Sequence, residues 1–250
     1  MIVYKNSNKK LKRTVVAIGN FDGLHLGHQK VLKQARDKAK KYKLKFGVIT
    51  FEPVPVMFFN KNIKNHRINN FKQKVFALKK LKLDFLRIIK FNKKFSKLSP
   101  EKFIKRIIYK NMNSKFVFVS KNFRFGKNRT GDINLLRKRE KLYNYKTVTI
   151  SPLKKKKMTI SSTLIRKSIM KGKIEYSNKL LGRFWTIEGT VKRGEKRGRK
   201  IGFPTCNIDL ENYILPKLGV YSAKIIVNKN IKKKGIVNIG YKPTFGKNRL

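Results

Sequence analysis

The sequence of this 250-residue chain predicts an α/β domain built on a parallel sheet, followed by a smaller antiparallel β region. Apolar, β-branched runs alternate with amphipathic segments up to about residue 173, which is typical of a parallel sheet covered by helices. Beyond that residue, short strand-like runs are separated by glycine turns, which is typical of an antiparallel sheet or barrel. The length allows two domains with a core each.

The first unit of this alternation lies near the N-terminus. Residues 14–19 (TVVAIG) form a continuous apolar run and predict a buried strand. Residues 26–43 carry apolar side chains at helical spacing, and residues 45–53 predict a second buried strand that ends at Pro53 and Pro55. Because parallel strands need a crossover connection, this order predicts two parallel strands joined by a helix.

The alternation continues along the chain. Helices are predicted over 72–83, 99–112, 131–144 and 160–173, and strands over 84–91, 115–120, 146–152, 219–227 and 232–240. Ser99 is the predicted N-cap of its helix, with Pro100 at the first helical position. The helix from residue 160 is predicted to stop at Gly172, and the change of pattern near 175–183 predicts domains over 1–180 and 181–250.

The charge is extreme, with 65 basic against 12 acidic residues and a net charge of +53. Clustered basic residues are typical of nucleic-acid binding, so a nucleic-acid-binding basic protein is one hypothesis. However, Lys supplies 50 of the 65 basic residues and is spread over nearly every segment. This distribution favours a compositional bias with nonspecific polyanion affinity, and we expect no specific nucleic-acid partner.

Other features of the composition indicate a soluble cytoplasmic protein. The single cysteine, Cys206, excludes an internal disulfide framework and is typical of a reducing compartment. The N-terminus lacks an apolar run of signal-peptide length, and no segment reaches the ~20 apolar residues of a membrane span. We therefore expect no membrane partner.

The stretch AIGNFDGLHLGHQKVL (17–32) contains two of the three histidines, His25 and His28. A helix that follows a strand presents free N–H groups at the carboxyl edge of the sheet, where phosphate binds well. Imidazoles there can donate hydrogen bonds to phosphate oxygens, and Gly19, Gly23 and Gly27 would let a phosphate approach the backbone. This stretch therefore predicts a nucleotide phosphate site.

The spacing of the two histidines is not specific by itself. An isolated His-x-x-His pair is more often incidental, although the preceding strand and following helix favour the nucleotide hypothesis. Zinc is disfavoured because no third ligand is evident. The dinucleotide Gly-x-Gly-x-x-Gly spacing and the phosphate-loop Gly-Lys-Ser/Thr are both missing.

GNFDGLHLGHQ (19–29) resembles the signature of the His-x-Gly-His nucleotidyltransferases, in the form found in the bacterial bifunctional riboflavin kinase/FAD synthetase family. Further motifs follow in that family's order: ITFEP (49–53), NFRFGKNRTGD (122–132), ISSTLIR (160–166), LLGRFW (180–185), GRKIGFPTCNI (198–208), GVY (219–221) and NIGYKPTFG (238–246). The resemblance covers roughly residues 14 to 246.

This resemblance implies a Rossmann-like nucleotidyltransferase domain followed by an incomplete riboflavin kinase-like β-barrel. The first would transfer AMP from ATP to FMN, giving FAD and pyrophosphate, and the second would phosphorylate riboflavin to FMN with ATP. Mg²⁺ would be the metal, with ATP, FMN and riboflavin as substrates. A nucleotidyltransferase making a pyridine or pantetheine nucleotide is an alternative that the C-terminal motifs disfavour.

The resemblance also implies site residues in the N-terminal domain. The catalytic residues would be His25, His28 and Arg166, and the ATP- and FMN-binding residues would be Gly19, Phe21, Asp22, Gly23, Gly27, Asn122, Arg124, Ser161, Ser162 and Thr163. Plain N-capping is an alternative role for Ser161–Thr163, and a surface turn is an alternative for 122–132. Phe123 and Phe125 are candidates either for the core or for a border of the flavin or adenine.

In the C-terminal domain the resemblance implies an ATP site at Gly194, Gly198, Gly202 and Pro204, with Thr205 and Asn207 as magnesium ligands. Hydroxyl and amide oxygens suit a hard cation that keeps several waters. An ordinary strand residue is the alternative role for Thr205.

Three departures from the family pattern stand out. Val54 replaces a usual His, Cys206 replaces a common Ala, and the chain stops at Leu250, before the glutamate expected to act as general base on riboflavin. We therefore expect this chain to make FAD from FMN and to phosphorylate riboflavin poorly or not at all. The sequence leaves the oligomeric state open.

Overall fold

The computed structural model describes residues 1–63, 65–155, 158–192, 202, 205–208, 210, 212–228 and 231–240. Its main feature is a six-stranded parallel sheet with the strand order β1-β4-β3-β2-β5-β6. These strands are β1 Ile2–Lys5, β2 Thr14–Ile18, β3 Lys45–Glu52, β4 Phe85–Lys90, β5 Ser114–Ser120 and β6 Lys146–Ile150. The prediction of a parallel sheet is confirmed.

The helices that connect and follow these strands are α1 Leu26–Lys41, α2 Pro55–Phe59, α3 Phe71–Lys80, α4 Lys93–Ser96, α5 Pro100–Phe103, α6 Ile133–Lys138, α7 Glu140–Tyr143, α8 Ser162–Met170 and α9 Ile174–Leu181. A π-helical segment, Ile104–Asn111, continues α5, and short 3₁₀ turns lie at Asp22–Leu24 and Lys127–Arg129. Ser99 caps α5 as predicted, because its side chain accepts a hydrogen bond from the Lys102 N–H at 3.3 Å.

The central strand β2 is buried along its whole length because helices cover both faces of the sheet. Side chains alternate across a strand, so Val15 and Ala17 pack in one apolar cluster with α1 and α3. Val16 and Ile18 face the other cluster, which includes residues of α5, its π-helical continuation and α6. Burial on both faces explains why residues 14–19 form a continuous apolar run.

The strand order creates a crevice at the carboxyl edge of the sheet. From β2 the chain passes through α1 to β3 on one side, and β5 later joins β2 on the other side. In open parallel sheets, ligands bind where the connections diverge in this way. The loops after β2 and β5 therefore border the expected ligand site.

Several element boundaries differ from the sequence predictions. The helix predicted over 131–144 is two short helices, α6 and α7, divided at Arg139. The predicted 160–173 helix spans Ser162–Met170, with Gly172 in the left-handed conformation just after it. The strand β1 and the helix α9 were not predicted. β1 is a four-residue edge strand whose apolar residues Ile2 and Val3 are exposed, and its apolar run is too short to indicate a strand by itself.

The C-terminal region contains antiparallel pairs, as predicted. β9 Val191–Lys192 pairs with β10 Asn207–Ile208, and β11 Gly219–Val227 pairs with β12 Ile231–Ile239 in a hairpin. An earlier antiparallel pair, β7 Lys154–Lys155 with β8 Met158–Thr159, precedes α8. Within the described ranges, no helix is both long and apolar enough to cross a membrane.

A third apolar cluster joins the C-terminal region to the first domain. It contains buried residues of α8 and α9 together with Ile68 and Ile214. Ile68 lies in the loop before α3, and Ile214 lies before β11. The two parts of the chain are therefore packed against each other through α8 and α9.

Candidate active site

The loop after β2 turns sharply before α1 begins. Phe21, Gly23 and Leu24 all have positive φ angles, of 50°, 77° and 40°. At Gly23 an added Cβ would also lie 3.0 Å from the Ile68 side chain. Glycine is therefore required at this position for both backbone conformation and space.

His25 is the N-cap of α1. The sequence predicted a phosphate contact for this residue but not the capping role. Its Nδ1 accepts a hydrogen bond from the His28 backbone N–H at 3.3 Å. The two imidazole rings stack with centroids 3.7 Å apart and an interplanar angle of 21°. The ring of Phe21 packs edge-on against His28 at 5.2 Å. Gly27 leaves just enough room, since a Cβ there would lie 3.1 Å from the His25 ring.

Both histidines are neutral at neutral pH. Burial, and then the charges of Arg166 and Arg183, lower the pKa of His25 to about 4. Burial and the neighbouring His25 lower the pKa of His28 well below its ordinary value. Because Nδ1 of His25 accepts a hydrogen bond, its proton lies on Nε2, which is then a donor.

Asp22 connects the loop to two other parts of the chain. Its carboxylate accepts hydrogen bonds from Arg166 Nη2 at 3.0 Å and from the Ile68 N–H at 3.2 Å. Its backbone carbonyl accepts a hydrogen bond from Ser162 Oγ at 2.9 Å. Arg166 also donates from Nε to the His66 carbonyl at 3.0 Å. The structure therefore brings Asp22 and Arg166 together.

The three hydroxyl residues at the start of α8 have different surroundings. Ser161 is the N-cap, and its side chain accepts a hydrogen bond from the Leu164 N–H at 3.2 Å, as the capping alternative predicts. Ser162 binds the Asp22 carbonyl. Thr163 is exposed. The N-terminus of α8 lies beside that of α1, since a Cβ on Gly27 would be 3.4 Å from the Ile160 carbonyl oxygen.

Arg183 contacts the loop after β2, which sequence patterns did not reveal. Its Nη2 donates to the Gly23 carbonyl at 2.8 Å and to Asn69 Oδ1 at 2.7 Å. It follows α9, so only the packing of that helix brings it to the loop after β2. Arg183 lies within the motif LLGRFW (180–185), but no rule of sequence spacing predicts a contact between residue 183 and residue 23.

A partly buried ion cluster beyond the site was likewise not predicted. Arg67 pairs with both carboxylate oxygens of Glu52, and Lys74 Nζ lies 3.7 Å from Glu52 Oε2. Burial lowers the pKa of Lys74, while the Glu52 charge opposes that shift. Val54, two residues further on, is buried at the N-cap of α2.

Asn122 and Arg124 lie in a separate groove at the carboxyl ends of β5 and β6. Arg124 Nη1 donates to Asp132 Oδ2 at 3.2 Å. The groove has a volume of about 660 Å³ and is lined by Lys121, Asn122, Phe123, Arg124, Arg129, Asp132, Ile133, Asn134, Arg137 and Thr149. Phe125 is buried, and Phe123 stacks on it at 5.4 Å while facing the groove.

The residues predicted for the C-terminal nucleotide site are less completely described. Gly202, Thr205 and Asn207 are exposed, and Asn207 pairs with Lys192 between β10 and β9. Gly202 has a φ of 79°. Gly194, Gly198 and Pro204 lie outside the described residues. The predicted C-terminal nucleotide site therefore lies only partly within the described residues.

The parallel sheet and the imidazole pair at the start of α1 agree with the α/β nucleotidyltransferase class that the sequence motifs imply. A family model described as FAD synthetase matches residues 7–164, and one described as riboflavin kinase matches residues 181–250. The chain belongs to the bifunctional riboflavin kinase/FMN adenylyltransferase family.

Curated relatives carry that name. The relative from Buchnera aphidicola subsp. Schizaphis graminum is 44% identical over 96% of this chain and 77% of its own length. The relative from Bacillus subtilis is 38% identical over 95% of this chain and 75% of its own length. A solved structure described as a macrolide-efflux protein from Streptococcus pneumoniae matches with a TM-score of 0.82 and 27% identity, covering 98% of this chain and 81% of that one.

Proposed function

We propose that the N-terminal domain transfers AMP from ATP to FMN, producing FAD and pyrophosphate. The observation that carries this proposal is the stacked, neutral His25–His28 pair at the start of α1, directly beside the start of α8. Two helix N-termini and two nearby arginines favour a polyphosphate at this place. The names of the relatives support FMN as the acceptor of AMP.

In the proposed reaction, a phosphate oxygen of FMN attacks the α-phosphorus of ATP. A new P–O bond forms, the bond between the α-phosphorus and its bridging oxygen breaks, and pyrophosphate leaves with that oxygen. The FMN phosphate is already anionic at neutral pH, so no general base is required. The protein must therefore hold two polyanions together and stabilise the developing charge.

We assign the phosphate contacts to the residues around α1. The Nε2–H of His25 donates to a phosphate oxygen, because Nδ1 is already engaged by the His28 N–H. Arg166 and Arg183 supply positive charge close to His25. Asp22 orients Arg166 through the 3.0 Å ion pair and leaves its remaining N–H groups for substrate. Gly19, Gly23 and Gly27 keep the loop close to the phosphates.

The groove after β5 is proposed to hold the flavin nucleotide. It lies at the same edge of the sheet as the histidine pair, and its lining combines Asn122, the ring of Phe123 and several cationic side chains. An aromatic ring can stack on an isoalloxazine, and arginine side chains can bind a phosphate. Arg124 is held by Asp132 and is half exposed to the groove.

Mg²⁺ is proposed to enter with ATP. Among the described residues, no group of three or more His, Cys, Asp or Glu side chains is placed to hold a metal ion. The exposed oxygens of Thr205 and Asn207 suit a magnesium ion that keeps its waters and phosphate ligands in the C-terminal region. When bound, Mg²⁺ neutralises phosphate charge on the nucleotide.

The C-terminal region is proposed to phosphorylate riboflavin with ATP, using Gly194, Gly198, Gly202 and Pro204 around the nucleotide. We propose that the division between the two activities lies near residue 180.

We also propose that the protein is located in the cytoplasm. The single, exposed cysteine, Cys206, supports this location because it is typical of a reducing compartment. Its partners are proposed to be the small-molecule substrates.

Paired assays on one preparation test both activities. One reaction contains FMN, ATP and Mg²⁺, the other contains riboflavin, ATP and Mg²⁺, and chromatography separates the flavins. We expect FAD in the first reaction, and its loss on His28→Ala with the fold retained. Folded wild-type protein that makes no FAD would contradict the proposal. The riboflavin reaction tests the proposed kinase activity, which FMN formation would support and its absence from folded protein would contradict.

A further inference from the structure

A short loop lies between the histidine site and the C-terminal region. We call residues 66–70 (HRINN), which lead from α2 into α3, the bridging loop. Its backbone groups are divided between two sets of partners. One set belongs to the loop after β2 and to α8, and the other set comes from residues 185–214.

On the side of the active site, the bridging loop supports the Asp22–Arg166 ion pair at both ends. The Ile68 N–H donates to the Asp22 carboxylate at 3.2 Å. The His66 carbonyl accepts from Arg166 Nε at 3.0 Å. The position of the loop therefore sets the positions of both charged groups.

On the opposite side, the same loop is held by the C-terminal region. The indole Nε1–H of Trp185 donates to the Ile68 carbonyl at 2.9 Å. The backbone of Arg67 exchanges two hydrogen bonds of 2.8 Å with Asn212 and Ile214, in an isolated β-bridge opposite Tyr213. Ile68 is thus linked through its N–H to Asp22 and through its carbonyl to Trp185.

Buried Tyr213 also links the C-terminal region to the start of α3, next to the bridging loop. Its ring is 2% exposed and its hydroxyl donates to Gln73 Oε1 at 2.9 Å. The same Gln73 oxygen accepts from the Asn70 N–H at 3.0 Å, and Gln73 Nε2 donates to the Thr186 carbonyl at 2.9 Å. Buried, hydrogen-bonded contacts of this kind fix one arrangement of the segments that they join.

We infer that Trp185 and Tyr213, which lie in the C-terminal region, are positioning residues for adenylyl transfer in the N-terminal domain. They act through the bridging loop, which places Asp22 and therefore Arg166. This inference rests on the proposed function and extends it, because it makes the C-terminal region part of the framework of the first active site. A displacement of about 1 Å at a reacting group is enough to slow a reaction strongly.

The test compares two conservative variants with a control. Trp185→Phe removes the N–H that binds Ile68 and keeps an aromatic ring, and Tyr213→Phe removes only the hydroxyl. Phe184→Leu is the control, because Phe184 is adjacent to Trp185 but is 65% exposed and its ring contacts Lys224. For each protein, kcat and KM for FAD formation are measured at about 20 °C, together with the thermal unfolding midpoint.

We expect kcat to fall roughly three- to tenfold in Trp185→Phe and Tyr213→Phe, with KM for ATP changed less than about twofold, and Phe184→Leu to match the wild type. A purely structural role would lower the unfolding midpoint but leave kcat of the folded enzyme unchanged at that temperature. Wild-type kcat in both variants would overturn the inference and leave the proposed function standing. A wild type that makes no FAD would remove the proposed function and the inference together.

Discussion

Asp22 Oδ2 and Arg166 Nη2 lie 3.0 Å apart although 144 residues separate them in the chain. The ion pair joins the loop after β2 to α8, and both side chains are mostly shielded from solvent. It fixes the direction of Arg166, whose remaining N–H groups are available to a phosphate. The pair thus connects the packing of α8 against the loop after β2 to the candidate site.

Removing this ion pair should reduce both activity and stability. Asp22→Asn keeps a group that can accept the Ile68 N–H but leaves Arg166 without a counter-charge. We expect a loss of about 2 kcal/mol in the free energy of unfolding, because one partner of a shielded pair is left uncompensated. Urea unfolding measures this loss, and FAD formation should fall more than tenfold.

The matched control for that variant is Asp37→Asn. Asp37 lies 3.9 Å from Arg36 on the exposed face of α1, and its side chain is 54% exposed. Exposed pairs contribute little, so the free energy of unfolding should change by less than about 0.5 kcal/mol. Equal losses in Asp22→Asn and Asp37→Asn would show that the Asp22–Arg166 pair has no special importance.

His25 should make the protein sensitive to mild acid. Its pKa is about 4 in the folded protein because of burial, and its ordinary value is 6.5. Between these values the unfolded chain binds a proton that the folded protein does not, so stability falls as the pH is lowered through this window. For this single group the expected loss from about pH 8 to about pH 5 is about 2 kcal/mol.

The His25→Asn variant isolates this effect. Asparagine is a good N-cap and can accept the His28 N–H, but it does not titrate. Urea unfolding at the same two pH values should show a smaller loss of stability in the variant than in the wild type. If the two proteins lose the same stability, His25 does not carry the depressed pKa in the folded state.

Gly27→Ala should separate activity from stability. The added methyl group would lie 3.1 Å from the His25 ring, which is stacked on His28 and has little room to move. Alanine favours helix over glycine by up to about 1 kcal/mol, so we expect stability to be maintained. FAD formation should fall about tenfold in a rate assay, because the added methyl group displaces the imidazole that we propose to contact phosphate.

The control for this variant is Lys33→Ala on the same helix, where the side chain is exposed. It should leave the rate unchanged. A Gly27→Ala enzyme with the rate of the wild type would mean that the His25 ring tolerates displacement.

Gly47→Ala should destabilise the sheet. Gly47 on β3 pairs with Phe85 on β4, and an added Cβ would overlap the Phe85 ring. Overpacking a buried site of this kind costs about 2 kcal/mol. Phe85→Leu in the same chain should recover part of that loss in urea unfolding. No recovery in the double variant would mean that the ring is not the cause.

Local sequence patterns predicted most of the first domain. The buried strands β2, β3 and β5 were visible as apolar runs, because helices cover both faces of the sheet and most positions are buried. The N-cap at Ser99 and the end of α8 before Gly172 were visible because capping depends on neighbouring residues. The helix α9 was not predicted because polar residues interrupt its apolar pattern. One of them, Ser177, is nevertheless buried, because its hydroxyl donates a hydrogen bond to the Lys173 carbonyl one turn earlier in the chain.

The sequence by itself determined the order of the central strands and their main helices, the histidine pair and the family, because each depends on residues close together or on ordered motifs. Only the tertiary structure decided that Arg166 meets Asp22, that Arg183 reaches Gly23 and that Trp185 holds Ile68. Each of these contacts joins segments more than about 100 residues apart, and such contacts are set by how helices pack, which no local pattern encodes.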